Sequence, residues 1–563
     1  MKYWSFHVAK ESCGLLLILF LWLLCLTITQ PLLSNFPLSD DWSYAKVVQH
    51  LLETGKYRYT GWESVTLVSH ALWGALFCLP SGFSFAALHL STLVMAVLSI
   101  AVSWLLAREA QPDSHFNSAL VAALVAFNPL FFVHCHTFMT DISFMALFLS
   151  SIFFGVRCLR FDKSSDLALA AALCVAATLA RQCGLAAALA FAVAYPMRYG
   201  LSWRKLSRAF IPFLLSLSAM LVLERWLSTG QMPVLHNVQM RMLVTNFFHP
   251  WHLASLVSWN LFIVIIYLGL FLSPLLLQFF FCDGKKKVLT FSFVALLISG
   301  LCWKTGHLMP LTGNVLKRTG IGPLSLRDTS ILHQNVLPSL PGGFWLAVTV
   351  LGVMGGLALL VRIVPPIFIG PLHKFWPGRM PERRCISVFL LLTALIYLAP
   401  ILMLNRFFDR YTLPLLPLLA VFCLLIDDGW RERLSVAWRY VAVILLLAFV
   451  GFSVAGTHDY LAWNRCRWIA LTELHSSREI TAEHIDGGFE FNGWTMYQPR
   501  WRKKTKKSWW WVKNDNFLVS FSPQPGYAIW RSYPYRRWLP PGHGVVLMLE
   551  KMLSANDTSP HKF

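Results

Sequence analysis

Mostly apolar stretches recur along four-fifths of the chain, separated by short polar turns. They lie at residues 11–33, 84–107, 117–134, 142–156, 167–181, 184–198, 209–227, 254–281, 288–303, 342–361, 386–404, 411–427 and 438–456. Read as transmembrane helices they make 13 crossings. Several are shorter than the roughly 17–25 residues that span a bilayer, a deficit that packing inside a bundle tolerates. The first, from Leu15 to Leu33, has no clear small-residue cleavage site and is expected to stay as an anchor. One run does not fit the series. Residues 66–79 are apolar over only 14 positions and carry His70, Trp73 and Gly74. Runs of about 10–14 residues are commonly interfacial or re-entrant, and that is the expectation here. Beyond residue 456 the pattern changes. Alternating stretches such as 516–521 and 544–549 predict strands, and no run is long enough to cross. The chain therefore divides into a membrane domain, 1–456, and a C-terminal domain, 457–563, of small mixed α/β type.

Charge orients this arrangement. The 563 residues are 56% hydrophobic and 13% charged, against about 25% charged in soluble domains. The net charge is +21 at pH 7. With the N-terminus cytoplasmic and residues 66–79 not crossing, the strongly basic short loops all fall on the inner side. These hold Arg108; Arg157, Arg160 and Lys163; Arg198, Arg204, Lys205 and Arg208; Lys285, Lys286 and Lys287; Lys374, Arg379, Arg383 and Arg384; Arg431 and Arg433. Such loops account for many of the basic residues, which makes nucleic acid a poor partner. Counting 66–79 as a full crossing would scatter those loops between both faces. The C-terminal domain falls outside, and its very basic segment Arg500 to Trp511 is suited to anionic headgroups or to an acceptor. The 12 cysteines form no CxxC pair and read as small apolar residues.

The same topology brings two acidic motifs to one face. Asp40 and Asp41 follow the first span, and Asp141 follows His134-Cys135-His136-Thr137-Phe138-Met139-Thr140. Tyr44, Lys56, Arg58, Arg181, His236, Arg241, His307, Lys317, Arg318, Asp409 and Arg410 share that outer face. Carboxylates at a membrane edge are costly and commonly mark a reaction centre or pathway. A carboxylate can take a proton from an acceptor hydroxyl, and arginine or lysine can stabilise a leaving phosphate. Plain structural roles compete with this reading. Asp40-Asp41 suits a helix N-cap, Asp141 the start of its own helix, Arg181 a snorkelling position, and Asp409-Arg410 a simple ion pair. Two histidines, His134 and His136, do not by themselves make a metal site. The polar cluster Thr457 to Asn464 suits either the floor of an acceptor cavity or a packed start to the tail.

Three motifs in this order resemble one family. They are Asp40-Asp41-Trp42-Ser43-Tyr44-Ala45, Met139-Thr140-Asp141, and Asp409-Arg410-Tyr411-Thr412-Leu413-Pro414-Leu415-Leu416-Pro417. Over residues 1 to about 430 the chain resembles the GT-C superfamily of integral-membrane glycosyltransferases. It resembles in particular the glycosyltransferase 39 and lipid A core galacturonosyltransferase-like branch, and the layout is similar to that of the lipid A aminoarabinose transferases. The resemblance implies an enzyme of the cytoplasmic (inner) membrane with an extracytoplasmic C-terminal domain. It implies a polyprenyl-phosphate sugar donor, a glycan, lipid or protein acceptor, and transfer, generally inverting, on the outer face. By family position Asp40 matches the general base and Asp141 the second acid. Asp41 stands where a glutamate is common, so both members of the pair remain candidates for the base. Arg410 and Arg181, then Lys56 and Arg58, match the basic groups that hold the lipid phosphate, with Tyr44 and His307 as further substrate-binding candidates. Some relatives bind a divalent metal near these acids and others do not, and the metal question stays open. The competing reading is a multi-span transporter or flippase for a lipid-linked or anionic glycan. Its expected marks are internal repeats and mid-membrane charges, whereas here the charges gather at span ends. A scaffold in envelope assembly is a third reading.

Overall fold

The computed structural model describes residues 2–230, 232–282, 285–368, 380–426, 436–499 and 510–552. The expected basic positions Lys374, Arg379, Arg431 and Arg433, and residues 500–509 of the basic tail segment, lie outside the described residues. The protein is a polytopic α-helical membrane protein with a small C-terminal mixed α/β domain. Among the described residues, nine helices are long and apolar enough to cross a bilayer unaided. The remaining predicted crossings are shorter helices, among them Ser164–Ala180 and Leu185–Tyr199. Both are rich in alanine, and Ala170, Ala171, Ala177, Ala180, Ala186, Ala187, Ala188 and Ala190 are buried. Small side chains let backbones approach, which is what drives helix association where lipid removes the hydrophobic incentive. The same logic is extreme between Pro250–Cys282 and Gly342–Phe368. A Cβ on Gly269 would stand 2.1 Å from the Gly356 nitrogen, so only glycine allows this crossing.

One predicted crossing is broken. Residues 117–134 form two helices, His115–Ala126 and Pro129–His134. Asn128 ends the first and caps the second, its side chain accepting from the Leu130 and Phe131 amides at 2.9 and 3.3 Å. Pro129 sits at the first helical position, where its missing N–H costs nothing.

The contacts between loops sort the chain into two faces. On one, Arg160 pairs with Glu109 and, at 2.8 Å, with Glu382. Lys205 and Arg208 reach Asp162 at 2.7 and 3.2 Å, and Arg198 donates to the Met380 carbonyl at 3.1 Å. These are the loops that the charge pattern assigns to the inside. The 66–79 run forms an 11-residue helix, Val68–Cys78. At 1.5 Å per residue this is about 16 Å, roughly half the hydrocarbon core. Both of its ends meet the opposite face. At one end the Leu67 amide donates to the Ala180 carbonyl at 3.2 Å, and Gln182 donates to the Ser64 carbonyl at 3.0 Å. At the other, Phe83 and Phe85 pack on Trp494 of the C-terminal domain, with ring centroids 5.9 and 5.1 Å apart. The segment enters and leaves on one side.

The last crossing does not stop at the membrane. Val436–Arg478 is one helix of 43 residues, about 65 Å long, whose outer half carries the C-terminal domain. The division at residues 456 and 457 thus falls inside a helix. A four-stranded sheet follows. Ile485–Asp486 runs parallel to Phe517–Ser520, which pairs antiparallel with Pro541–Lys551, which in turn pairs with the edge strand Tyr527–Trp538. The Val436–Arg478 helix packs on this sheet, and a short helix, Phe489–Met496, packs instead on the Asp41–Thr54 helix.

Candidate active site

The two acidic motifs are tied together by Asp41. Its Oδ1 accepts from the Leu38 amide at 2.6 Å and its Oδ2 from the Phe138 amide at 3.1 Å. His89 Nε2 lies 3.7 Å from the same Oδ2, and both side chains are fully buried. This carboxylate is consumed in joining the Asp40 turn to the loop before Asp141. Of the two adjacent acids, Asp41 is thus the one that is fully buried and engaged by backbone amides.

Asp40 behaves differently. It stands at the N-cap of the Asp41–Thr54 helix, yet its side chain makes no capping hydrogen bond. Oδ1 accepts from the Trp62 indole Nε1 at 2.9 Å, and Oδ2 lies 4.0 Å from Arg410 Nη2. The side chain keeps 27% of its surface exposed. Burial of the carboxyl pushes its pKa above the ordinary range, against the lowering pull of Arg410 and Trp62.

Asp141, 2% exposed, sits in the first turn of Thr140–Phe161 and faces two guanidinium groups. Arg181 Nη1 is 2.8 Å from its Oδ1, and Arg410 Nε is 3.6 Å from the same oxygen. Its Oδ2 and Arg410 Nε are buried without hydrogen-bond partners among the described residues. Aromatic faces back the arginines. Arg181 lies over Phe144 and Tyr411, and Arg410 lies 4.8 Å from the Phe408 ring centroid. The Arg410 backbone is fixed by its neighbour. Asp409 accepts from the Val315, Leu316 and Arg410 amides at 3.0, 2.8 and 2.9 Å, so the outer loop around Leu316 is pinned beside the site. Tyr44 is buried one turn into the helix after Asp40, within electrostatic reach of Asp40, Asp141, Arg181 and Arg410. Burial holds its phenol above the usual range, so it stays a proton donor at neutral pH.

Asp40, Asp141, Arg181, Arg410 and Tyr44 thus converge. Lys56 and Arg58 do not. Both are exposed in the segment that follows the Asp41–Thr54 helix. His307 is also exposed, its ring against Trp259 at 5.2 Å. His134 and His136 are buried and bonded locally, to the Leu130 carbonyl and to the Phe132 carbonyl and Thr29 hydroxyl. The Thr457–Asn464 cluster takes the packed alternative: Thr457 and Asn464 are fully buried, and Asp459 accepts from the Trp538 and Leu539 amides.

Two contributors escaped the sequence reading. Trp62 belongs to an aromatic wall with Trp42, Phe489, Tyr497 and Trp511, whose ring centroids lie 5.2–5.9 Å from its own. Glu490, in the C-terminal domain, accepts from the Ser39 amide at 3.1 Å. Ser39 holds a left-handed φ of 60°, a strained conformation for a non-glycine residue, directly before Asp40. Glu490 also pairs with Arg467 at 2.7 Å, and both side chains are fully buried. Removing one partner of such a pair costs about 3–5 kcal/mol, so the pair fixes Glu490 within the C-terminal domain, from where it meets the Asp40 turn through the Ser39 amide. The signal available in advance was weak: a lone Trp in an outer loop and one acid in a tail.

The donor set does not suit a divalent cation. Among the described residues no three His, Cys, Asp or Glu side chains gather to hold a metal. Two guanidinium groups occupy the ground around Asp141, where a cation would be repelled and an anion attracted. A partly exposed carboxylate such as Asp40 can deprotonate a hydroxyl, and the two buried arginines around Asp141 can stabilise a departing anion.

No family model matches the chain, and no curated protein matches it. Among solved structures it is similar to ArnT from Cupriavidus metallidurans in the apo state, at 15% identity over 84% of this chain and 83% of that chain, with a TM-score of 0.37. The same protein bound to undecaprenyl phosphate is 15% identical over 85% of this chain and 84% of that chain, with a TM-score of 0.36. Likenesses of this size leave the chemistry to be read from the site itself.

Proposed function

We propose that the protein is a glycosyltransferase that moves a sugar from a polyprenyl-phosphate-linked donor to a glycan, lipid or protein acceptor at the outer face of the inner membrane. Residues 1–456 act as the transferase domain and residues 457–563 as an extracytoplasmic cap. Asp40 takes the proton of the acceptor hydroxyl while that oxygen bonds the anomeric carbon of the sugar. The bond from that carbon to the phosphate oxygen breaks, and its electron pair stays on the phosphate. Arg410 and Arg181 stabilise the charge that develops there. Asp141 holds both guanidinium groups in position, and the protonated Tyr44 donates a hydrogen bond within the site. A single displacement of this kind inverts the anomeric centre.

The observation that carries this reading is the state of Asp40. It declines its capping role and keeps a partly exposed side chain, with one oxygen oriented by Trp62 and the other beside Arg410. The motif resemblance supplies the substrate class. The test is transfer from polyprenyl-phosphate sugars in membranes holding the wild-type chain, Asp40→Asn or Asp141→Asn. Loss of a positioned general base predicts a rate lower by about 10²–10⁴-fold for Asp40→Asn. Full activity in both variants would overturn the mechanism.

A further inference from the structure

A second basic site lies at the tip of the hairpin formed by Tyr527–Trp538 and Pro541–Lys551. Arg536 stands opposite His543 across the two strands, and Arg537 opposite Gly542. With Trp538 and Pro541 these residues line a cavity of about 470 Å³. Arg537 is only 4% exposed. Its Nη2 donates to the Thr319, Pro338 and Leu539 carbonyls at 3.1, 3.3 and 3.0 Å, while its Nη1 is buried with no hydrogen-bond partner among the described residues. No carboxylate lies within ion-pair distance of it among those residues. The nearby Asp459 is engaged by the Trp538 and Leu539 amides and by His458 Nδ1. A buried guanidinium balanced only by carbonyl dipoles is costly and calls for a counter-anion.

The position of the tip says where that anion comes from. The predicted last crossing ends at residue 456, and the His458 ring stacks on Trp538 with centroids 3.8 Å apart and planes 8° from parallel. Trp538 is 36% exposed, and tryptophan is a side chain suited to the headgroup level. Thr319 and Pro338 belong to the outer loop between the Lys285–Lys304 and Gly342–Phe368 helices. That loop also carries Leu316, whose amide holds Asp409 beside Arg410.

We propose that this hairpin tip binds a phosphate group presented at the outer membrane surface, with Arg537 as the buried counter-charge and Arg536 and His543 at the mouth. The site stands apart from the transfer chemistry, and its binding is read without any reaction. The test uses the full chain purified in detergent and titrated with phosphatidylglycerol, with phosphatidylcholine as control, followed by native mass spectrometry. Arg537→Gln removes a buried group that also ties down three carbonyls, so the exposed double variant Arg536→Gln/His543→Gln is the decisive one. It is expected to lose one tightly bound phosphatidylglycerol, weakened about tenfold, with phosphatidylcholine unchanged and the melting temperature of the wild type. Displacement of that lipid by millimolar inorganic phosphate would identify the phosphate group alone as sufficient. Persistence of the lipid under phosphate would identify the membrane-borne headgroup as the ligand. Equal phosphatidylglycerol binding by the wild type and the double variant would overturn the proposal.

Discussion

Asp40 is pulled in two directions. Burial favours its neutral acid, while the Trp62 indole hydrogen bond and Arg410 favour the carboxylate. A general base works only when deprotonated, so the rate should rise with pH through its elevated pKa. Trp62→Phe keeps the aromatic wall and removes the donor. The neutral acid then gains ground, and the acidic limb of the pH–rate profile should move to higher pH. An unmoved limb would mean that Trp62 does not orient the base. The sequence brought Asp40 and Asp41 forward as a pair and could not separate them. Successive residues on a helix point about 100° apart, and the partners that claim Asp41, His89 and the Phe138 amide, are remote in sequence. Lys56 and Arg58, brought forward because they share the outer face, are exposed outside the cluster around Asp141.

Each predicted apolar run falls on helix, and nine of these helices among the described residues are long and apolar enough to cross, because a bilayer enforces length and polarity on its spans. What hydropathy missed were local events. Asn128 and Pro129 break one crossing in two through a cap and a proline at the first helical position. The strand Tyr527–Trp538 went unseen because it carries three arginines, three tyrosines and Pro534, the composition of a guarded edge. An edge strand accepts a proline and repels other edges with such charges. The Val68–Cys78 helix is the element on which the topology turns. Cysteines introduced at Ser81 and Pro112, each exposed, test it with a membrane-impermeant maleimide in spheroplasts, read against the unsubstituted chain. Ser81→Cys should label in intact spheroplasts and Pro112→Cys only after lysis. The reverse pattern, or labelling of both from outside, would break the assignment of faces.

At the scale of the whole molecule, ion pairs of Arg160 with Glu382 and of Lys205 with Asp162 join the basic loops, and those of Asp141 with Arg181 and Arg410 join the outer segments. Charge counting along the sequence foresaw this division, since every basic loop had to fall on the same side. It did not foresee that the C-terminal domain reaches the site. Glu490 accepts from the Ser39 amide in the strained turn, and Trp511 packs against Trp62, so the C-terminal domain helps hold the surroundings of Asp40. The sugar and the acceptor are properties of the cavity's contents and have no motif of their own. The most direct measurement is mass analysis of envelope lipids and glycans from cells lacking the gene, complemented with the wild-type chain or with Asp40→Asn at equal expression. A lipid-linked sugar transferase predicts one envelope molecule heavier by a sugar with the wild type and unmodified with Asp40→Asn. Identical envelope masses in the two strains would contradict it.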